Sequence, residues 1–176
     1  PAAADSARQL APAGFDLVIT DAHSEEYSKS LIDAEYLVGF VDMLVDEELY
    51  KTGPNLKLIQ LLSAGYDRAD IKAARRAGVP IANNGGANAI AVSEHAILLM
   101  LAVSRKLAVQ HANVANGRWR GNDVPKLYEL SGKTLGIVGL GTIGKKTARL
   151  AQAFGMKVVY YDIAPVSYTH LTLPTI

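Results

Sequence analysis

The chain has 176 residues, 49% of them hydrophobic and 20% charged, enough for a sizeable core in one large domain or two small ones. Its formal net charge of +1 gives no electrostatic reason to expect a nucleic acid or an acidic surface as partner. The absence of cysteine excludes disulfides, thiolate chemistry and cysteine metal sites, and fits a reducing, cytoplasmic setting.

The chain opens on PAAADSARQL, which lacks the basic and apolar layout of a signal peptide and does not begin with Met, so a trimmed start is expected. Residues 2–10 have a helical pattern, and 15–20, FDLVIT, form a compact strand run. Residues 24–32 predict a helix with Ser24 as its cap and acids in the first turn. A strand over 35–40, a helix over 45–52 and a strongly apolar strand over 56–62 follow. Residues 67–77 predict a helix capped by Asp67 and stopped by Gly78, and 79–82 another strand. Strands alternating with helices through short loops imply a parallel sheet covered on both faces, here a flavodoxin-like α/β domain over 1–86.

Gly85 and Gly86, then Asn88, open a helix over 88–106 that is apolar nearly all round, so it is expected to be buried between layers or subunits. Its Glu94 and His95 would be expensive in a bilayer, which argues for a soluble protein with no membrane partner. A helix over 107–116 ends near Gly117, and 118–126, RWRGNDVPK, has the composition of a surface loop. His23 and His111 lie in polar contexts whose spacing implies no metal site.

The stretch 133–162, KTLGIVGLGTIGKKTARLAQAFGMKVVYYD, organises the rest of the chain. A strand over 135–138 leads into Gly139-Leu140-Gly141-Thr142-Ile143-Gly144, followed by a helix over 145–154, a strand over 156–161 and Asp162. This is the layout of a dinucleotide-binding βαβ unit: Gly139 permits the tight turn, Gly141 lets the backbone approach a pyrophosphate, and Gly144 lets helix and strand pack closely. Thr142 and Ile143 complete the expected cofactor-binding set at the helix N-terminus, whose N–H groups and positive dipole suit phosphate. Asp162 stands where an acid would accept from ribose hydroxyls and repel a 2′-phosphate, favouring NAD over NADP; the alternative is a solvated strand end.

Four segments together resemble the D-isomer-specific 2-hydroxyacid dehydrogenase family: LIQLLSAGYDRADIKAARRAGVPIANN, GGANAIAVSEHAILLMLAVSRK, the loop with NGRW, and LSGKTLGIVGLGTIGKKTARLAQAFGMKVVYYD. The resemblance covers roughly 15–165 and implies a substrate domain over 1–86, then the first half of an NAD-binding Rossmann domain over 87–165, entered through helix 88–106. It implies interconversion of a 2-hydroxy acid and its 2-keto acid with NAD, in a whole protein expected to be a homodimer. Ala64 and Gly65, in SAGYD, would present backbone N–H groups to the substrate carboxylate; the plain alternative is a strand-to-helix turn. Asn88 would contact substrate, or else cap the long helix. Glu94 and His95 match a family signature but are expected to pack the helix, since the family's catalytic histidine comes later.

Two departures stand out. Many relatives carry a basic residue after the strand matching EYLVGF, where this chain has Phe40 and Val41, which fits a less acidic or differently anchored substrate. The arginine, glutamate and histidine that the family uses for catalysis would all fall after residue 176, and His170 lies too close to the second Rossmann strand to replace them. No catalytic residue is therefore assigned, and the chain is expected to be an inactive N-terminal portion with weak cofactor binding. The segment 166–176, VSYTHLTLPTI, does not match the family and is expected to be foreign. A corepressor or scaffold that senses NAD on the same fold is the rival reading, and an adenosylhomocysteinase-like enzyme is disfavoured by the SAGYD and GGANAIAVSEH segments.

Overall fold

The computed structural model describes residues 2–119 and 126–163, so most of the loop 118–126 and all of 166–176 lie outside the described residues. The chain divides into two compact units, Pro1–Gly85 and Gly86–Ile176.

The first unit begins with α1 (Ala2–Leu10) and α2 (Glu25–Leu31). Ser24 caps α2, its hydroxyl accepting from the Tyr27 N–H at 3.1 Å, as the sequence predicts. Strands β1 (Tyr36–Gly39), β2 (Leu58–Leu61) and β3 (Ile81–Ala82) form a parallel sheet in the order β1-β2-β3. Between β1 and β2 run a 3-10 turn, Asp42–Leu44, and α3 (Glu47–Thr52), capped by Asp46; α4 (Ile71–Ala77) joins β2 to β3. Ile59 and Leu61 of β2 are completely buried among Leu31, Val41, Val45 and Leu49, so the middle strand is the axis of this core. Tyr27 and Tyr50 bury their hydroxyls without a partner among the described residues, and loss of solvent, aided by the Asp46 charge at Tyr27 and by Asp70 and then Asp46 at Tyr50, holds both phenols above their ordinary pKa.

Two expectations fail here. Residues 15–20 form no strand: Phe15 tilts against Tyr36 with ring centroids 5.6 Å apart, but the backbone joins no ladder among the described residues. Composition suits a strand there, yet a strand exists only through its pairing. The cap of α4 is Asp70, whose carboxylate accepts from the N–H groups of Lys72 and Ala73 at 2.9 Å each, and not Asp67. The Asp70 N–H donates to the Val45 carbonyl at 2.8 Å, and this tie across the fold fixes where the helix starts. Gly78 ends α4 in the left-handed conformation, φ +71°, which glycine adopts without steric cost.

The second unit contains α5 (Ala89–Ser104), α6 (Leu107–Ala115), β4 (Thr134–Val138), α7 (Thr142–Ala153) and β5 (Lys157–Tyr161). β4 and β5 pair in parallel, with α7 as their crossover. Small residues let α5 lie against α7: Ala89, Ser93 and Ile97 are the buried stripe of α5, and Thr147, Ala148 and Ala151 that of α7. Helix α5 is therefore not buried all round. One stripe is covered, while Ile90, Leu98, Leu99 and Val103 are exposed, because this unit supplies no second layer among the described residues. Glu94 and His95 are exposed too, which overturns their expected place in helix packing.

One contact distant in sequence holds the first unit. Asp42 is buried and receives Arg68 through two bonds, Nε to Oδ2 at 2.9 Å and Nη2 to Oδ1 at 3.2 Å. Arg68 is itself largely exposed, so Asp42→Ala should cost about 1–2 kcal/mol in urea unfolding, the lower part of the range for bonds between charged groups. Glu48→Ala, which breaks the exposed pair with Lys51, should change stability by no more than about 0.5 kcal/mol.

Candidate functional site

The glycine turn of the second unit is built by close approach. Gly139 has φ +91°, a conformation that side-chain-bearing residues rarely adopt. A Cβ on Gly144 would lie 2.3 Å from the Gly139 carbonyl oxygen, so no side chain fits there. Gly141 differs from both: its φ is −72° and a Cβ there would meet nothing within 4 Å. The protein's own sterics do not require glycine at 141. The space in front of it is open, which is the arrangement a ligand needs for close approach to the backbone.

Helix α7 starts at Thr142, inside the glycine motif and three residues before the predicted 145, because Gly141 already takes the N-cap role. No side chain caps this end, and the N–H groups of Gly141, Thr142 and Ile143 find no protein acceptor among the described residues. A helix end with uncommitted donors and an aligned dipole favours an anion. The turn is anchored from behind. Leu140 is 2% exposed within the core, the Gly139 N–H donates to the Tyr161 carbonyl at 2.8 Å, and the Leu140 N–H donates to Asp162 Oδ2 at 2.6 Å. Asp162 thus sits directly after β5 and against the turn, not as a strand end facing only solvent.

The sequence marks Gly86 as an opener of the long helix but not as a neighbour of the glycine turn. With φ +85°, it passes the N-terminus of α7, where a Cβ would come within 3.6 Å of the Thr142 methyl. The segment entering α5 therefore borders the glycine turn. Asn88, two residues on, stands at the N-cap position of α5 as the alternative reading expects, but it is exposed and its side chain makes no cap bond.

The SAGYD loop belongs to the first unit and has its own pattern. All three successive carbonyls are engaged: Asn84 N–H donates to Ser63 O at 2.9 Å, Asn83 Nδ2 to Ala64 O at 2.7 Å and Ser63 Oγ to Gly65 O at 2.8 Å. The N–H groups of Ala64 and Gly65 have no protein acceptor among the described residues. A loop whose carbonyls are tied down and whose amides are uncommitted has the donor arrangement that suits an anion. Asn83 and Ser63, which orient it, were not singled out from sequence; the Asn pair after the β3 run was the available signal. Phe40 is exposed at the end of β1, and Arg68, held by Asp42, is a cation on the same SAGYD-to-α4 connection. Among the described residues no group of three or more His, Asp or Glu could hold a metal ion. No described helix is long and apolar enough to cross a membrane.

The family model for the D-isomer specific 2-hydroxyacid dehydrogenase NAD binding domain matches residues 97–173. The glyoxylate reductase of Thermococcus litoralis is 40% identical over 136 residues, 74% of this chain and 41% of that protein. The hydroxypyruvate reductase of Thermotoga maritima is 36% identical over 173 residues, 94% of this chain and 56% of that protein. This chain belongs to the D-isomer specific 2-hydroxyacid dehydrogenase family. Among solved structures, the NAD-dependent formate dehydrogenase from Staphylococcus aureus, in complex with NAD, matches with a TM-score of 0.81 at 26% identity, covering 99% of this chain and 53% of that one. The chain spans about half the length of these curated relatives. The family match also reaches into the segment 166–176.

The three glycines of the family motif have separable roles, and substitution separates them. Gly144→Ala should destabilise the unit by about 1–3 kcal/mol or prevent its folding, since backbone must move. Gly141→Ala should leave the urea midpoint nearly unchanged and instead weaken nucleotide binding. Thermal and urea unfolding of the two variants, beside titration with NADH, checks the contrast.

Proposed function

We propose that the whole protein is an NAD-dependent oxidoreductase that acts on the CH–OH group of a D-2-hydroxy acid, interconverting it with the 2-keto acid. The observation that carries the reading is Gly141, a glycine that folding does not require, facing open space at an uncapped helix N-terminus. Gly139, Gly141, Thr142, Ile143 and Gly144 receive the pyrophosphate, and the Asp162 carboxylate accepts from ribose hydroxyls and disfavours a 2′-phosphate. Bound NAD supplies hydride exchange at its nicotinamide. Ala64 and Gly65 hold the substrate carboxylate through their amides, which cannot be titrated away and are oriented by Asn83 and Ser63. Asn88 adds an amide donor toward the substrate. The domains are read as 1–86 for substrate and 87–165 for NAD.

The general acid/base and the cation that polarises the carbonyl are assigned no residue in this chain. The 176-residue chain by itself is expected to bind without turnover. The exposed apolar residues of α5 and α6, including Leu98, Leu99, Val103 and Leu107, fit a homodimer contact with a second copy. Cytoplasmic residence belongs to the same proposal and rests on the lack of cysteine.

Titration of the ¹⁵N-labelled chain with NADH tests the reading. The amide signals of Gly139, Gly141, Thr142 and Ile143 should move, with an affinity weaker than micromolar, and NADPH should move them less at equal concentration. Silence of these amides, or an equal response to NADPH, would sink the NAD assignment.

A further inference from the structure

Asp162 is in contact with the phosphate-facing turn before any nucleotide arrives. Its Oδ2 accepts from the Leu140 N–H at 2.6 Å, across 22 positions of sequence. The bond extends the sheet pairing by one step. β4 and β5 pair through Val138 and Tyr161, the Gly139 N–H donates to the Tyr161 carbonyl at 2.8 Å, and the next donor, Leu140, finds a side-chain carboxylate where the ladder has run out. Leu140 is 2% exposed, so its N–H has poor access to water and would be costly to leave unpaired. A carboxylate is a stronger acceptor here than a neutral oxygen.

We propose that Asp162 is a positioning residue for the pyrophosphate-binding turn, in addition to any ribose contact. One carboxylate then links the two nucleotide subsites: it holds Leu140 and the Gly139–Gly141 turn in place, and the same group faces the sugar. The inference rests on the NAD reading for its consequence but not for its geometry. It follows that changing Asp162 to a small neutral residue, the obvious route to NADP acceptance, removes the repulsion of the 2′-phosphate and loosens the turn that binds the pyrophosphate in the same step.

Two variants with the same loss of charge separate the roles. Asp162→Asn keeps an oxygen acceptor for the Leu140 N–H, while Asp162→Ala removes it. Amide hydrogen exchange of the nucleotide-free chain should show Leu140 exchanging about ten- to a hundredfold faster in D162A than in D162N, with Ile59 of the other unit unchanged as internal control. Inorganic pyrophosphate, which has no ribose, should perturb the Gly141 and Thr142 amides at several-fold lower concentration in D162N than in D162A. Equal Leu140 exchange in the two variants, or equal pyrophosphate response, overturns the proposal. Separation of the variants in exchange, with NADH leaving the wild-type amides unmoved, would support the positioning role while counting against the NAD reading. Should D162A fail to fold while D162N folds with slow Leu140 exchange, the rescue by the isosteric acceptor supports the proposal.

Discussion

The Gly139 carbonyl oxygen occupies the position that the first side-chain atom of residue 144 would need. That approach brings the first turn of α7 down onto the end of β4, and much of the second unit follows from it. With the helix this close, its buried stripe of Thr147, Ala148 and Ala151 meets both the sheet and α5. The same closeness puts Leu140 into the core and leaves Gly141 at the rim with open space before it. A substitution at 144 would therefore disturb packing and site together, whereas 141 concerns only what approaches from outside.

Two regions of this protein are arranged alike, though they lie in different units. At the glycine turn and at the SAGYD loop, the backbone carbonyls or the flanking groups are committed while amide N–H groups stay uncommitted. On the proposed reading, both would receive an anion through backbone amides and not through a lysine or arginine. Such receptors do not change charge with pH, and they need no long side chain to be ordered on binding. On that reading, a chain with net charge +1 could offer two anion sites without the charge of a general polyanion binder.

Much of this was legible in the sequence because it is local. The GLGTIG spacing names its own turn, Ser24 precedes its helix by one position, and Gly78 follows its own. What escaped reading depends on residues far apart. Residues 15–20 have strand composition but lack a strand's partner, and composition cannot report a missing partner. Asp67 and Asp70 are both plausible caps by type; the choice was made by a backbone bond from Asp70 to Val45, more than twenty positions away. The Asp42–Arg68 pair and the Asn83 bond to the SAGYD loop are invisible for the same reason. Helix α5 shows the same limit, since apolar residues all round state what could be buried between layers or subunits, and this unit alone covers one stripe of them.

Asp162 shows how one residue type can satisfy local and distant demands at once. Any acceptor at this position could close the ladder for Leu140, and any acid could face a ribose, but few side chains do both from the end of a strand. Asparagine would serve the N–H without the charge, and glutamate carries the charge one methylene further from the backbone it must reach. The 2.6 Å bond joins this carboxylate, directly after β5, to the Leu140 N–H of the glycine turn, and such charge-assisted bonds are the stronger kind. The acid that sequence patterns associate with the sugar is thus also the group that accepts from the glycine turn, so on the proposed reading a change at 162 would touch both subsites.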